Sequence, residues 1–122
     1  MKPRSKGSPP TPADPGACIR ASTECRTICL KTGAYVAERS IAGLGQDFLA
    51  NLHTCADLCR LCADTIMRGS DLHPIVCGAC AEVCACCAAA CEEAGGDAQL
   101  DECRQACLDC FDVCSAMAAE VA

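Results

Sequence analysis

Fifteen of the sixteen cysteines in this 122-residue chain sit on a lattice of three- and four-residue steps, the spacing that returns a side chain to one face of an α-helix. They fall in four groups: Cys18, Cys25 and Cys29; Cys55, Cys59 and Cys62; Cys77, Cys80, Cys84, Cys87 and Cys91; and Cys103, Cys107, Cys110 and Cys114. Each group is a stripe of sulfur where a globular helix would carry leucine. Thiols aimed together into a core form a container for soft metal ions, above all Cu(I), because soft ligands select soft ions and hard ions want oxygen. Cysteines at i and i+4 on a helix have Cβ atoms about 5 to 6 Å apart, so their sulfurs can swing together into the near-linear bridge that Cu(I) accepts. Charge balance fits as well. Each Cu(I) that displaces a thiol proton leaves the buried charge unchanged, sparing the core a very costly net charge. Empty, the same cysteines act as small hydrophobes.

Four helices are needed to position these stripes, and the punctuation of the chain supplies them. Asp14 and Pro15 form an N-cap and N1 pair opening helix 1, which is expected to run to about Ile41 ahead of Gly43 and Gly45. Helix 2 spans about Gln46 to Arg68, with Gly69 as its C′ residue. Asp71 is expected to cap helix 3, with Pro74 tolerated in the first turn, and Gly95 and Gly96 end it. Asp97 caps helix 4, which is expected to continue to about Ala122. Short connections force antiparallel neighbours. The fold class is therefore all-α, an antiparallel up-down-up-down four-helix bundle with a cysteine-lined core. It spans residues 14–122, behind a disordered N-terminal tail over residues 1–13. Runs of β-branched and aromatic residues with period two are missing, which argues against strands.

Folding the connections as tight turns sets approximate levels. Cys91 faces Cys103, Cys87 faces Cys107, Cys84 faces Cys110 and Cys80 faces Cys114; Cys29 and Cys55 fall beside the Cys84 level, and Cys25, Cys59 and Cys62 beside the Cys80 level. At one end Cys18, Met67, His73 and Met117 converge on a mouth; at the other Val36, Phe48 and Leu52 form a plug. His73 and Met117 are thus candidate metal ligands beside the fifteen cysteines, although a lone first-turn His is more often exposed and a Met at helical spacing more often core. Met67 is one step off its stripe, and His53 reads as surface. Ser22 stands where helix 1 would carry a fourth cysteine. Cys86 lies two residues from Cys84, so it points about 160° away from the stripe and is not an inner ligand.

Composition narrows the function classes. A formal charge of −6 argues against nucleic acid and anionic membrane as partners. No stretch approaches the roughly twenty consecutive apolar residues of a membrane span. Residues 1–16 contain Lys2, Arg4 and Lys6 but neither an apolar h-region nor a twin arginine, so they do not read as an export signal. The expected compartment is the cytoplasm, where cysteines stay reduced. No Ser-His-Asp set, phosphate-cradling glycine loop or carboxylate pair stands out, and the expectation is a binding protein, not an enzyme.

The sulfur-lined helices, with C-x-x-x-C and C-x-x-C spacings over Cys55 to Cys62, Cys77 to Cys91 and Cys103 to Cys114, resemble the bacterial copper storage proteins, the Csp family, and more specifically their cytosolic branch. The resemblance covers about residues 17 to 120. It implies reversible storage of many Cu(I) ions per chain, loading from one open end, copper ions and a copper chaperone as partners, and a homotetramer. Four other readings compete. Zinc usually takes separated tetrahedral sets on turns and loops, and iron-sulfur ligands normally sit on loops. A cross-helix disulfide scaffold would suit the even cysteine count. Finally, the cysteines could simply pack as apolar core.

Overall fold

The computed structural model describes residues 12–41 and 43–120. Its order is α1 (Pro15–Arg39), α2 (Gln46–Met67), α3 (His73–Ala94) and α4 (Ala98–Ala118). No strand occurs among the described residues. Helices α1 and α2, α2 and α3, α3 and α4, and α4 and α1 pack side by side, while the diagonal pairs meet only through the sulfurs they aim into the core, as Cys59 meets Cys110 and Cys62 meets Cys114. Facing residues run in opposite senses: Cys62 meets Cys77 and Cys55 meets Cys84 between α2 and α3, and Cys18 meets Cys114 and Cys29 meets Cys103 between α1 and α4. The four-helix bundle expected from the sequence is the observed one.

The helix ends follow local chemistry. The Asp14 side chain accepts from the Ala17 N–H at 3.1 Å, and Asp97 accepts from the N–H groups of Gln99 and Leu100 at 2.8 and 3.1 Å, so both satisfy orphan donors of a first turn. The Asp97 carboxylate also accepts from the Tyr35 hydroxyl at 2.7 Å. That bond and the cap hold its carboxyl below the usual range and tie α1 to the start of α4. Past α2, Gly69 has φ +67°. Its N–H reaches Ile66 O while Ser70 N–H reaches Thr65 O, a Schellman closure that needs the left-handed conformation glycine adopts freely.

Three boundaries differ from expectation. Helix α1 stops at Arg39 because Ser40 turns left-handed, with φ 47°. Asp71 does not cap α3. The N-cap is Leu72, without a side-chain cap, and the nearby hydroxyl, Ser70 Oγ, accepts instead from the Leu72 N–H at 3.1 Å. Helix α4 ends at Ala118, not near Ala122. The expected tail over residues 1–13 lies mostly outside the described residues. By length and composition α3 is also apolar enough to cross a membrane, with a mean hydropathy of 1.8 over its window. The sequence expectation that no segment would approach that is corrected here. Its apolarity comes from cysteine and alanine, and its cysteine stripe packs inward as in a core helix.

Away from the Asp14 end of α1, Val36, Phe48, Leu52 and Leu100 are buried and close the bundle with ordinary hydrocarbon. Leu52→Ala is expected to cost about 2 to 5 kcal/mol, since the backbone closes only partly around a deleted core side chain. A urea midpoint left unchanged by that substitution would mean this end is not packed as described.

Candidate metal centre

All fifteen stripe cysteines are buried, and Cys86 is exposed. Their sulfurs form a ladder. Next to the α1 N-terminus, Cys18 Sγ lies 3.6 Å from Cys114 and 3.9 Å from Cys62, and Cys62 lies 3.3 Å from Cys77 and 3.7 Å from Cys114. One turn deeper, Cys59 lies 3.9 Å from Cys110 and 3.8 Å from Cys80. Next come Cys25 to Cys107 at 3.8 Å, Cys25 to Cys29 at 3.9 Å and Cys55 to Cys84 at 3.6 Å. The ladder closes with Cys29 against Cys103 and Cys107 at 4.0 and 3.9 Å. Cys91 neighbours Cys103, and the Cys87 thiol donates to the Asn51 carbonyl at 3.4 Å.

Cys55 beside Cys84, Cys59 beside Cys80 and Cys91 beside Cys103 stand as expected, whereas Cys62 pairs most closely with Cys77, Cys59 reaches Cys110, and Cys87 turns to the Asn51 carbonyl; α1 is displaced as well. Cys29 and Cys25 sit about one stripe step nearer the plugged end, against Cys103 and Cys107, not beside Cys110 and Cys114. Bundle helices cross at about 20°, so a level counted around one turn drifts by the time it reaches the opposite side.

Four groups of sulfurs lie within 4.8 Å of one another: Cys25, Cys55, Cys59 and Cys84; Cys25, Cys29, Cys55 and Cys107; Cys59, Cys80, Cys84 and Cys110; and Cys18, Cys62 and Cys114. The first three share members, so a metal in one would use thiolates that also serve the next.

Shared S–H bonds divide the thiols. Hydrogen bonds from Cys114, Cys18 and Cys77 hold Cys62 well below the ordinary thiol range, those with Cys107, Cys29 and Cys91 do the same for Cys103, and Cys25 is drawn to about 7, chiefly by Cys107. Their partners are pushed up: Cys114 by Cys110 and Cys18, and Cys107 by Cys103 and Cys25, with burial adding to both. A thiolate that accepts its neighbours' protons obliges them to keep those protons. Among the described residues the buried polar ones are Ser22, Thr32 and Thr65, and none of these can balance a thiolate.

The two candidate ligands that are not cysteine behave differently. Met117 is buried, at 2% exposure, on the α4 stripe. His73 is partly buried. Its Nδ1 is 3.1 Å from the Ser70 carbonyl, and its Nε2 has no hydrogen-bond partner and lies 3.6 Å from Glu120 Oε1. With the proton on Nδ1, Nε2 presents a free lone pair. Met67 points away, 61% exposed.

Sequence reasoning missed Thr32. It is fully buried three residues beyond Cys29, and its Oγ1 accepts from Gln99 Nε2 at 3.0 Å, so oxygen replaces sulfur on the α1 stripe toward the plugged end. Continuing the lattice past Cys29 would have reached it.

A four-helix bundle whose inward stripes are thiols, with no buried cation among the described residues to balance them, defines a metal-holding helical container. The copper storage protein family, Csp, matches residues 12–119, and the chain belongs to that family, one of storage proteins and not of enzymes. It is 28% identical over 103 residues to the uncharacterized cysteine-rich protein YhjQ of Bacillus subtilis (strain 168), covering 84% of this chain and 94% of the relative. The crystal structure of the Nmul_A1745 protein from Nitrosospira multiformis is similar with a TM-score of 0.78 and 34% identity, covering 86% of this chain and 94% of that one.

Proposed function

We propose that this chain stores many Cu(I) ions reversibly in the bundle core. The ligands are the fifteen stripe cysteines, with Met117 and His73 at the end where Cys18 lies. The observation that carries this reading is the buried thiol ladder, with no charged residue buried among the described residues. Filling it with zinc as separate four-thiolate sites would leave a net negative charge at each, buried and unbalanced, which is very costly. One Cu(I) per displaced proton leaves the charge unchanged. The overlapping thiol groups favour the same ion, because members common to two groups must bridge, and bridging thiolates with few ligands per metal suit Cu(I).

The reading extends to a cytosolic homotetramer that receives copper from a chaperone. Free thiols throughout suit a reducing compartment, and assembly and supply rest on the family resemblance. Titrating the reduced chain anaerobically with Cu(I) tests it. Ultraviolet thiolate-to-copper absorption should rise to a plateau at about 12 to 18 ions per chain, and zinc should not displace them. Saturation at about four equivalents with zinc preferred would overturn the reading in favour of discrete tetrahedral sites.

A further inference from the structure

Of the four sulfur groups, the set of Cys18, Cys62 and Cys114 shares no member with the other three, which are linked through Cys25, Cys55, Cys59 and Cys84. Cys77 belongs with the separate set, 3.3 Å from Cys62 and in contact with Cys18. The break coincides with Ser22. Its side chain is fully buried, and its Oγ lies 3.6 Å from Cys110 Sγ, 3.8 Å from Cys114 and 4.0 Å from Cys18. It fills the position from which a sulfur would join Cys18 to Cys25. Contacts across the break run through the other helices, from Cys110 to Cys114 at 3.6 Å and from Cys80 toward Cys62 and Cys114, and not through α1.

A serine hydroxyl keeps its proton at neutral pH and is a hard oxygen donor. It can donate a hydrogen bond to a thiolate of Cys110 or Cys114 but cannot bridge two Cu(I) ions as a thiolate does.

We infer that Ser22 divides the thiol core into two compartments: an exchange site of Cys18, Cys62, Cys77 and Cys114, which fills last and empties first, and a continuous store made by the remaining inner cysteines. The inference rests on the Cu(I) reading above and adds an order of loading to it. Each ion entering the exchange site displaces thiol protons to solvent. Moving on to the store exchanges one thiolate pair for another, with no change of oxidation state. In the store the groups share Cys25, Cys55, Cys59 and Cys84, so each ion gains bridging neighbours, whereas the exchange site meets the Ser22 hydroxyl where a bridging sulfur would stand.

The test is removal of copper from the saturated full-length chain by excess bicinchoninate, a coloured Cu(I) chelator. Two phases are expected, the faster carrying roughly two to four ions and running at least about tenfold ahead of the slower. Ser22→Cys should merge the fast phase into the slow one and add about one ion of capacity. Ser22→Ala, which fills the gap with neither sulfur nor hydroxyl, should keep both phases, so loss of the hydroxyl alone is separated from gain of a bridge. Cys18→Ser should remove most of the fast amplitude and leave the slow rate unchanged, giving a readout independent of how Ser22→Cys folds. A single phase in the unaltered chain, or a slow phase accelerated by Cys18→Ser, would overturn the two compartments while leaving storage intact. Failure to bind Cu(I) at all would instead overturn the storage reading.

Discussion

On loading with Cu(I) the chain should keep its far-ultraviolet circular dichroism and gain more than about 20 °C in unfolding midpoint. The first half of this expectation follows from the empty core. Fifteen buried thiols pack as small hydrophobes, Leu52, Leu100, Val36 and Phe48 close one end, and α1 and α4 carry side-chain caps. Nothing in that list needs metal. The second half follows from mass action: a site held at a hundred times its dissociation constant adds about 2.7 kcal/mol to the folded state. About 1 kcal/mol moves the midpoint of a domain this size by several degrees, so even a handful of filled sites exceeds 20 °C. A random-coil spectrum for the reduced empty chain would show that metal makes the fold, as in zinc fingers. A midpoint unmoved by loading would place the copper on the surface, at Cys86 and the exposed carboxylates, not in the core.

Much of this arrangement could be read from residue spacing. The fifteen stripe cysteines announced their burial through the three- and four-residue steps alone, and Cys86 its exposure by breaking them, because helical periodicity is a local property. Asp14, Asp97 and Gly69 marked their helix ends for the same reason: cap chemistry involves neighbours within one turn. What escaped was set by the tertiary structure. Asp71 has the side chain of a cap, yet the Schellman closure through Gly69 and Ser70 already fixes the chain's direction and brings Ser70 Oγ to the Leu72 N–H. The level of Cys25 and Cys29 depends on how helices incline across the bundle, which no single turn encodes. The high hydropathy of α3 is hidden in a reading that treats its cysteines as ligands, whereas a hydropathy scale counts them as apolar. Ser22 was noticed as a missing ligand, but its meaning needed the distances that separate Cys18, Cys62 and Cys114 from the rest.

Replacing His73 and Met117 together by Leu should slow both Cu(I) uptake and its removal by a chelator about tenfold, the effect of raising a barrier by about 1.4 kcal/mol, while capacity falls by no more than about two ions. Both residues sit where α3 begins and α4 ends. Met117 lies three residues beyond Cys114, covered by the bundle. The bond between His73 and the Ser70 carbonyl leaves Nε2 the ring atom that can meet an ion, with Glu120 beside it to attract a cation from solvent. Thioether and imidazole bind Cu(I) more weakly than a thiolate pair, so ligands of that kind hand an ion inward without trapping it. Cys18, Cys62, Cys77 and Cys114 are themselves fully covered, and an ion reaches them only when the groups above them move. Leu is close to Met in volume, so the Met117 change should cost little stability, and unchanged circular dichroism would confirm that the kinetics report the doorway. Phe48→Ala is the control at the far end, where Phe48 borders a cavity of about 700 Å³ together with Leu100 and Asn51. It should leave both rates as they are. If the double variant loads at the normal rate while Phe48→Ala changes it, copper passes through that cavity, and the Cys18 end is the closed one.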